Sequence, residues 1–329
     1  MTKRLAFRRW LNPVALAALF VVPVASQAPD AGGEIPRTAD GKPDMQGVWT
    51  NASITPFERG NTMPYSGVIV PEAAANRAVF TEEEAALLEE QTNARRPEVL
   101  GAYNVWMDAG DRLLSTRQTS LVVDPPDGRV PVKRWAAEVR EWNLGQQRHH
   151  YRTMSTWDRC ITRGVPGSML PTGYNNAYRI LQAPGVVVIL HEMIHEARII
   201  PVTDRAHIDR DIELWTGDAR AHWEGDTLVV DTRNFHDQAM IVTSSNGGRL
   251  KGLPAGEAMH VVERFTRVSM DEIMWEATIE DPDVYDRPWT ISMPLTRAPG
   301  YEMYEYACHE GNLDVEIYLG GGRAEEAGR

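Results

Sequence analysis

From residue 176 onward, apolar and polar side chains alternate in short runs, each closed by Gly, Pro, Asp or Ser. Alternation with a period of two is the mark of a strand with one face buried. Ile273, Trp275, Ala277 and Ile279 interleave with Met274, Glu276, Thr278 and Glu280, and Val261, Glu263, Phe265 and Arg267 with Val262, Arg264, Thr266 and Val268. Strands are expected at 176–182, 186–192, 194–202, 220–223, 227–232, 259–268, 273–281, 288–296 and 302–308, with tight turns at Pro184-Gly185 and Glu224-Gly225-Asp226. Successive strands on short turns form an antiparallel meander, and its simplest closure is an up-and-down, lipocalin-like barrel.

The pattern before residue 157 is different. Pro and Gly punctuate 29–71, with a short strand expected at 47–50. Thr81 and Glu84 form a capping box that opens a helix to about residue 96, just before Pro97. A strand at 120–124 is expected to turn at Pro125-Pro126-Asp127-Gly128 and pair with 129–132. A second helix at 133–147 carries Trp135, Val139 and Trp142 on one face. Residues 243–257, with Ser-Ser-Asn-Gly-Gly, read as a loop. The chain therefore reads as mostly β, with an irregular, partly helical region at 29–156 packed on an antiparallel barrel at 157–329.

Residues 1–28 read as a secretory signal peptide. Lys3, Arg4, Arg8 and Arg9 form a basic start, 14–22 an apolar stretch too short for a bilayer, and 24–28 a cleavage site of small residues. This places the protein in the periplasm or outside the cell; Arg8-Arg9 is compatible with the twin-arginine route. No later stretch is apolar enough to suggest membrane insertion. Loss of the leader removes four positive charges from a chain already at −12, which disfavours nucleic acid and leaves a small molecule as the expected partner. In an oxidising compartment Cys160 and Cys308 favour a disulfide tying mid-chain to the end, worth up to about 5 kcal/mol by chain entropy. Two buried thiols are the alternative.

His191-Glu192-Met193-Ile194-His195 has the spelling of a zinc-hydrolase helix, with His191 and His195 as ligands and Glu192 as base. The flanks argue for strand: 186–190 is Val-Val-Val-Ile-Leu and 199–202 is Ile-Ile-Pro-Val. In one strand the two His stand roughly 13 Å apart, too far for one ion. Arg198 and Pro201 occupy the places where a continued metalloprotease motif carries Gly and His. No metal or other cofactor is expected.

Gly47-Val-Trp49, Asp158-Arg-Cys-Ile161, Tyr174-Asn-Asn176, Glu192-Met-Ile-His195, Trp223-Glu-Gly-Asp-Thr-Leu-Val-Val230 and Tyr306-Ala-Cys-His-Glu-Gly-Asn312 stand together in this chain. This set resembles an uncharacterised family of exported bacterial proteins. The resemblance spans nearly the whole mature chain and implies export, without an activity.

Candidate chemistry centres on His195, of a residue type able to shuttle protons, with Glu192 or Glu276 to share a proton and Tyr174 and Arg198 to hold a carboxylate. Asn175, Asn176, Arg264, Arg287, Trp289 and His309 are candidate ligand contacts. The expectation is a metal-independent lyase, of decarboxylase or hydratase type, acting on a small aromatic or amphipathic acid inside the barrel. Phenolic acid decarboxylases provide an architectural analogy, and fold alone does not carry function. The alternatives are a non-catalytic periplasmic ligand-binding barrel and the zinc hydrolase.

Overall fold

A computed structural model describes residues 34–60, 62–105, 107–243 and 249–328. The expected signal peptide and the centre of the 243–257 loop lie outside the described residues. Ten strands form one sheet: β1 (Gly47–Thr50), β2 (Val122–Asp124), β3 (Ala177–Ala183), β4 (Val186–His191), β5 (Ala197–Pro201), β6 (Asp218–Glu224), β7 (Thr227–Arg233), β8 (His260–Arg267), β9 (Glu272–Glu280) and β10 (Trp289–Arg297). Their order is β5-β4-β3-β1-β10-β9-β8-β7-β6, with β2 beside the first half of β10. All neighbours along that path are antiparallel. Its nine strands are an odd number, so β5 and β6 must meet in parallel. They do so at the bridge between Val202 and Ala221, where Thr203 N–H donates to the Ala221 carbonyl at 2.9 Å. The result is a nearly closed barrel.

The alternating runs point where their period demands. Ile273, Trp275, Ala277 and Ile279 are buried, as are Val261, Glu263, Phe265 and Arg267. Two charged inward positions are satisfied internally. Arg198 donates to Glu263 at 3.0 Å and forms a second contact to the same carboxylate, which also accepts from the Trp275 indole at 3.2 Å. Arg267 lies 5.3 Å above the Trp49 ring and donates to the Ser269 carbonyl at 3.0 Å. Breaking a buried pair such as Arg198–Glu263 from one side costs roughly 3–5 kcal/mol, since it strands a charge. With Trp49, Tyr178, Phe265, Trp275 and Met293 all buried, the lumen is a packed core. A ligand inside the barrel, as the lyase and binding-barrel readings both expected, has no place there.

Four helices stand outside the barrel: α1 (Glu72–Ala75), α2 (Glu82–Leu100), α3 (Arg134–Gln146) and α4 (Asp314–Ala327). The capping box forms as expected, Glu84 N–H to Thr81 Oγ1 at 3.2 Å and Thr81 N–H to Glu84 Oε2 at 2.9 Å. α2 passes through Pro97 and ends at Leu100, where Gly101 N–H caps the Pro97 carbonyl. It covers a small second core of Ile54, Met63, Val70, Phe80 and Leu88.

Four expectations are corrected. Strand 120–124 pairs with β10, not 129–132, because Val130 N–H is taken by Glu58 Oε1 at 2.8 Å. α3 packs on Ala136 and leaves Trp135 and Trp142 exposed, the Trp135 indole N–H held by the Asp283 carbonyl at 2.9 Å. Residues 302–308 form no strand, and the path β1-β10-β9 leaves no free edge beside them. The helix required by the zinc alternative is absent: β4 runs to His191, a 3-10 turn follows at Met193–His195, and β5 begins at Ala197. His191 faces inward against Tyr178, at 5.7 Å between ring centroids, while His195 faces the C-terminal segment.

Candidate functional site

The turn from β4 to β5 carries two successive non-glycine residues in the left-handed region. Ile194 and His195 take φ of 63° and 45° in succession, conformations that cost of order 1–3 kcal/mol each for non-glycine residues. Around it His191 N–H donates to the Glu196 carbonyl at 2.8 Å and Glu192 N–H to that of Ala177 at 3.0 Å. The turn thereby fixes Glu192, only 1% exposed, at one end of the barrel.

A cavity of about 880 Å³ opens at that end, lined by Tyr103, Asp108, Tyr174, Asn175, Tyr301 and Tyr306. Its walls come from three places: the chain after α2, the approach to β3, and the segment after β10. The last is tied down by the disulfide Cys160–Cys308, which spans 148 positions. It is held also by His195, whose Nδ1–H donates to the Tyr306 carbonyl at 2.5 Å, and by Tyr301, whose hydroxyl donates to Glu192 Oε1 at 2.7 Å. Glu192 Oε2 has no hydrogen-bond partner among the described residues.

Asp108 gives the cavity wall its chemistry, and Arg163 lies buried behind that wall. Asp108 accepts from the Asn176 amide at 3.0 Å, yet burial, reinforced by the nearby Glu192, holds its carboxyl above the usual carboxylate range. Arg163 is 3% exposed and stands 5.5 Å from the Trp157 ring. Among the described residues no carboxylate lies within 4.0 Å of its guanidinium, and its Nε has no hydrogen-bond partner. The phenols of Tyr174, Tyr65 and Tyr306 lie near it, and its charged partner is the buried Glu196. Burial pushes its guanidinium down to about 10, still charged at neutral pH, and pushes the Tyr174 hydroxyl up, so that it stays protonated. The local chain is shaped to bring Arg163 there. Gly164 takes φ +82°, and a side chain on it would meet the Met240 carbonyl oxygen at 1.8 Å.

The residues expected from the sequence divide clearly. Tyr174 and Asn175 line the cavity, and Glu192 and His195 stand directly behind it. Asn176 spends its amide on structure, accepting from Thr172 N–H at 2.8 Å and donating to Asp108. The others lie elsewhere. Arg198 is consumed by Glu263 in the lumen. Arg264 pairs with Glu224 at 2.8 Å on the outer face, opposite Glu276. Arg287 pairs with Asp124. Trp289 is a core side chain against Phe57 and Tyr285, and His309 is exposed beside the disulfide. Arg163, Asp108, Tyr103, Tyr301 and Tyr306 were missed as site residues. A signal for two of them was present: Arg163 lies three positions past Cys160 and Tyr306 two before Cys308, so the disulfide itself implies that they meet.

No family model and no curated protein matches the chain. Among solved structures, a secretary abundant heat soluble (SAHS) protein from Ramazzottius varieornatus aligns over 44% of this chain and 87% of its own, at 10% identity and a TM-score of 0.23. No helix among the described residues is long and apolar enough to cross a membrane.

Proposed function

We propose that the protein is an exported, metal-independent lyase whose substrate is a small aromatic carboxylic acid bound at the barrel end. The observation that carries this reading is the cavity, lined by four tyrosines with Asp108 and Asn175 and backed by the buried Arg163 guanidinium. The Arg163 charge, balanced only in part by Glu196, makes this end of the barrel favourable to a carboxylate. Tyr174 and Tyr306, with hydroxyls 3.4 Å apart, supply further donors to the same anion, and the phenol rings supply faces for an aromatic body. The basic leader, the apolar stretch behind it and the disulfide support export.

Within the lyases, electrostatics favours hydration and dehydration over decarboxylation. A positive charge near the substrate carboxylate stabilises that carboxylate and so opposes loss of CO2. It equally stabilises the charge that grows on the carboxylate when the adjacent Cα–H is removed. Asp108, kept protonated more readily than an ordinary carboxyl, is suited to give its proton to a β-hydroxyl leaving as water. The test is to incubate the protein with 3-phenylprop-2-enoate and follow its absorbance and proton spectrum. Reversible formation of the 3-hydroxy acid is expected. Binding with no conversion, or with release of CO2, contradicts the hydratase assignment.

A further inference from the structure

From the Tyr301–Glu192 contact we infer that Tyr301 is the catalytic residue that takes the substrate proton, and that Glu192 acts only through it. This rests on the reading of the site as a lyase. Glu192 is 1% exposed and is not part of the cavity lining, so it is poorly placed to touch a ligand. Tyr301 is in the lining and donates its hydroxyl hydrogen to Glu192 Oε1 at 2.7 Å. One phenol thus faces the ligand on one side and a fixed carboxylate on the other. The strained β4–β5 turn holds that carboxylate, and its second oxygen is left without a partner. Strain and an orphaned buried oxygen are costs that packing alone does not explain, and a base held for proton transfer gives both a role.

The step balances as follows. As the Cα–H bond of a bound 3-hydroxy acid breaks, its proton passes to the Tyr301 oxygen while the Tyr301 hydrogen passes to Glu192 Oε1. The Cα electron pair forms the Cα=Cβ bond, and the Cβ–O bond breaks. The departing hydroxyl takes the Asp108 proton and leaves as water. Glu192 and Asp108 then exchange protons with solvent to reset the site.

The experiment uses the full mature protein, 3-hydroxy-3-phenylpropanoate in D2O, and the variants Tyr301→Phe and Glu192→Gln. Deuterium uptake at Cα and appearance of the unsaturated acid are read by NMR, and affinity by calorimetry. Both variants are expected to bind the acid within a few-fold of wild type, with kcat reduced about 100-fold or more and KM little changed. Wild-type exchange rates in Tyr301→Phe overturn this inference alone. Loss of binding in step with rate also overturns it, since Tyr301 would then be a wall. A wild-type protein that binds the acid and exchanges nothing overturns the lyase reading and this inference together.

Discussion

At the scale of single residues, the site is a collection of groups whose burial is unusually costly. His191 is fully enclosed, with neither ring nitrogen in a well-formed hydrogen bond, and burial, with Arg198 and Arg163 nearby, pushes its pKa from 6.5 down to about 3. The unfolded chain therefore binds a proton below pH 6.5 that the folded protein refuses until about pH 3. Stability is complete above pH 6.5 and falls as the pH drops through that window, by about 5 kcal/mol over its full width. His191→Met, similar in bulk and without the titrating ring, is expected to remove that component. Urea unfolding of both proteins from pH 7 to pH 3 checks it: the wild-type curve should fall away from the variant's, and parallel curves would contradict the assignment. The inward direction of His191 was not legible, because 186–190 is apolar at every position and marks neither face. Nor was the neighbouring turn, because Ile194 adopts a backbone conformation that a β-branched residue rarely takes and that no local signal announces.

At the scale of elements, the segment from Ala298 to Asn312 matters most. It has no strand or helix, and beyond Ala298, whose N–H reaches the Val48 carbonyl, its regular backbone bonds are local, such as Tyr301 N–H to the Ala298 carbonyl. Side chains and one disulfide hold it over the cavity, and it contributes Tyr301 and Tyr306 to the lining. Cys160→Ser with Cys308→Ser is expected to cost a few kcal/mol, up to about 5 by the chain-entropy estimate, and to weaken aromatic-acid binding at least tenfold. The far-ultraviolet circular dichroism of the barrel should be unchanged, because none of its strands lies in that segment. Unaltered affinity in the double variant would mean that the segment is placed without the bond. Alternation in 302–308 suggested a strand, yet alternation specifies only which side chains share a face. An edge to pair with is a property of the whole sheet, and β10 is already flanked by β9, β1 and β2.

At the scale of the molecule, the barrel is a scaffold with its core inside and its chemistry at one end. Period-two patterning conveyed the strands and their faces nearly completely. It could not convey whether the enclosed volume is filled, because that depends on side-chain sizes summed across strands: Trp49, Phe265 and Trp275 together with the Arg198–Glu263 pair fill it. The same limit hid the site, which draws on residues from 103 to 306, brought together by closure of the barrel and by the disulfide. Glu192, His195, Tyr174 and Asn175 were legible as polar groups clustered near strand ends. Arg163 was signalled only by its place three past Cys160, since an arginine in an irregular stretch reads as surface until its burial is known. The central claim is that the Arg163 charge draws a carboxylate ligand to the tyrosine-lined cavity. Calorimetric titration of wild type and Arg163→Met with 3-phenylprop-2-enoate and with its uncharged amide tests this most directly. Wild type should bind the acid and discriminate against the amide, and Arg163→Met should lose at least tenfold in affinity for the acid, about 1.4 kcal/mol or more. Equal affinity of the two proteins for the acid, or of wild type for acid and amide, would contradict the account.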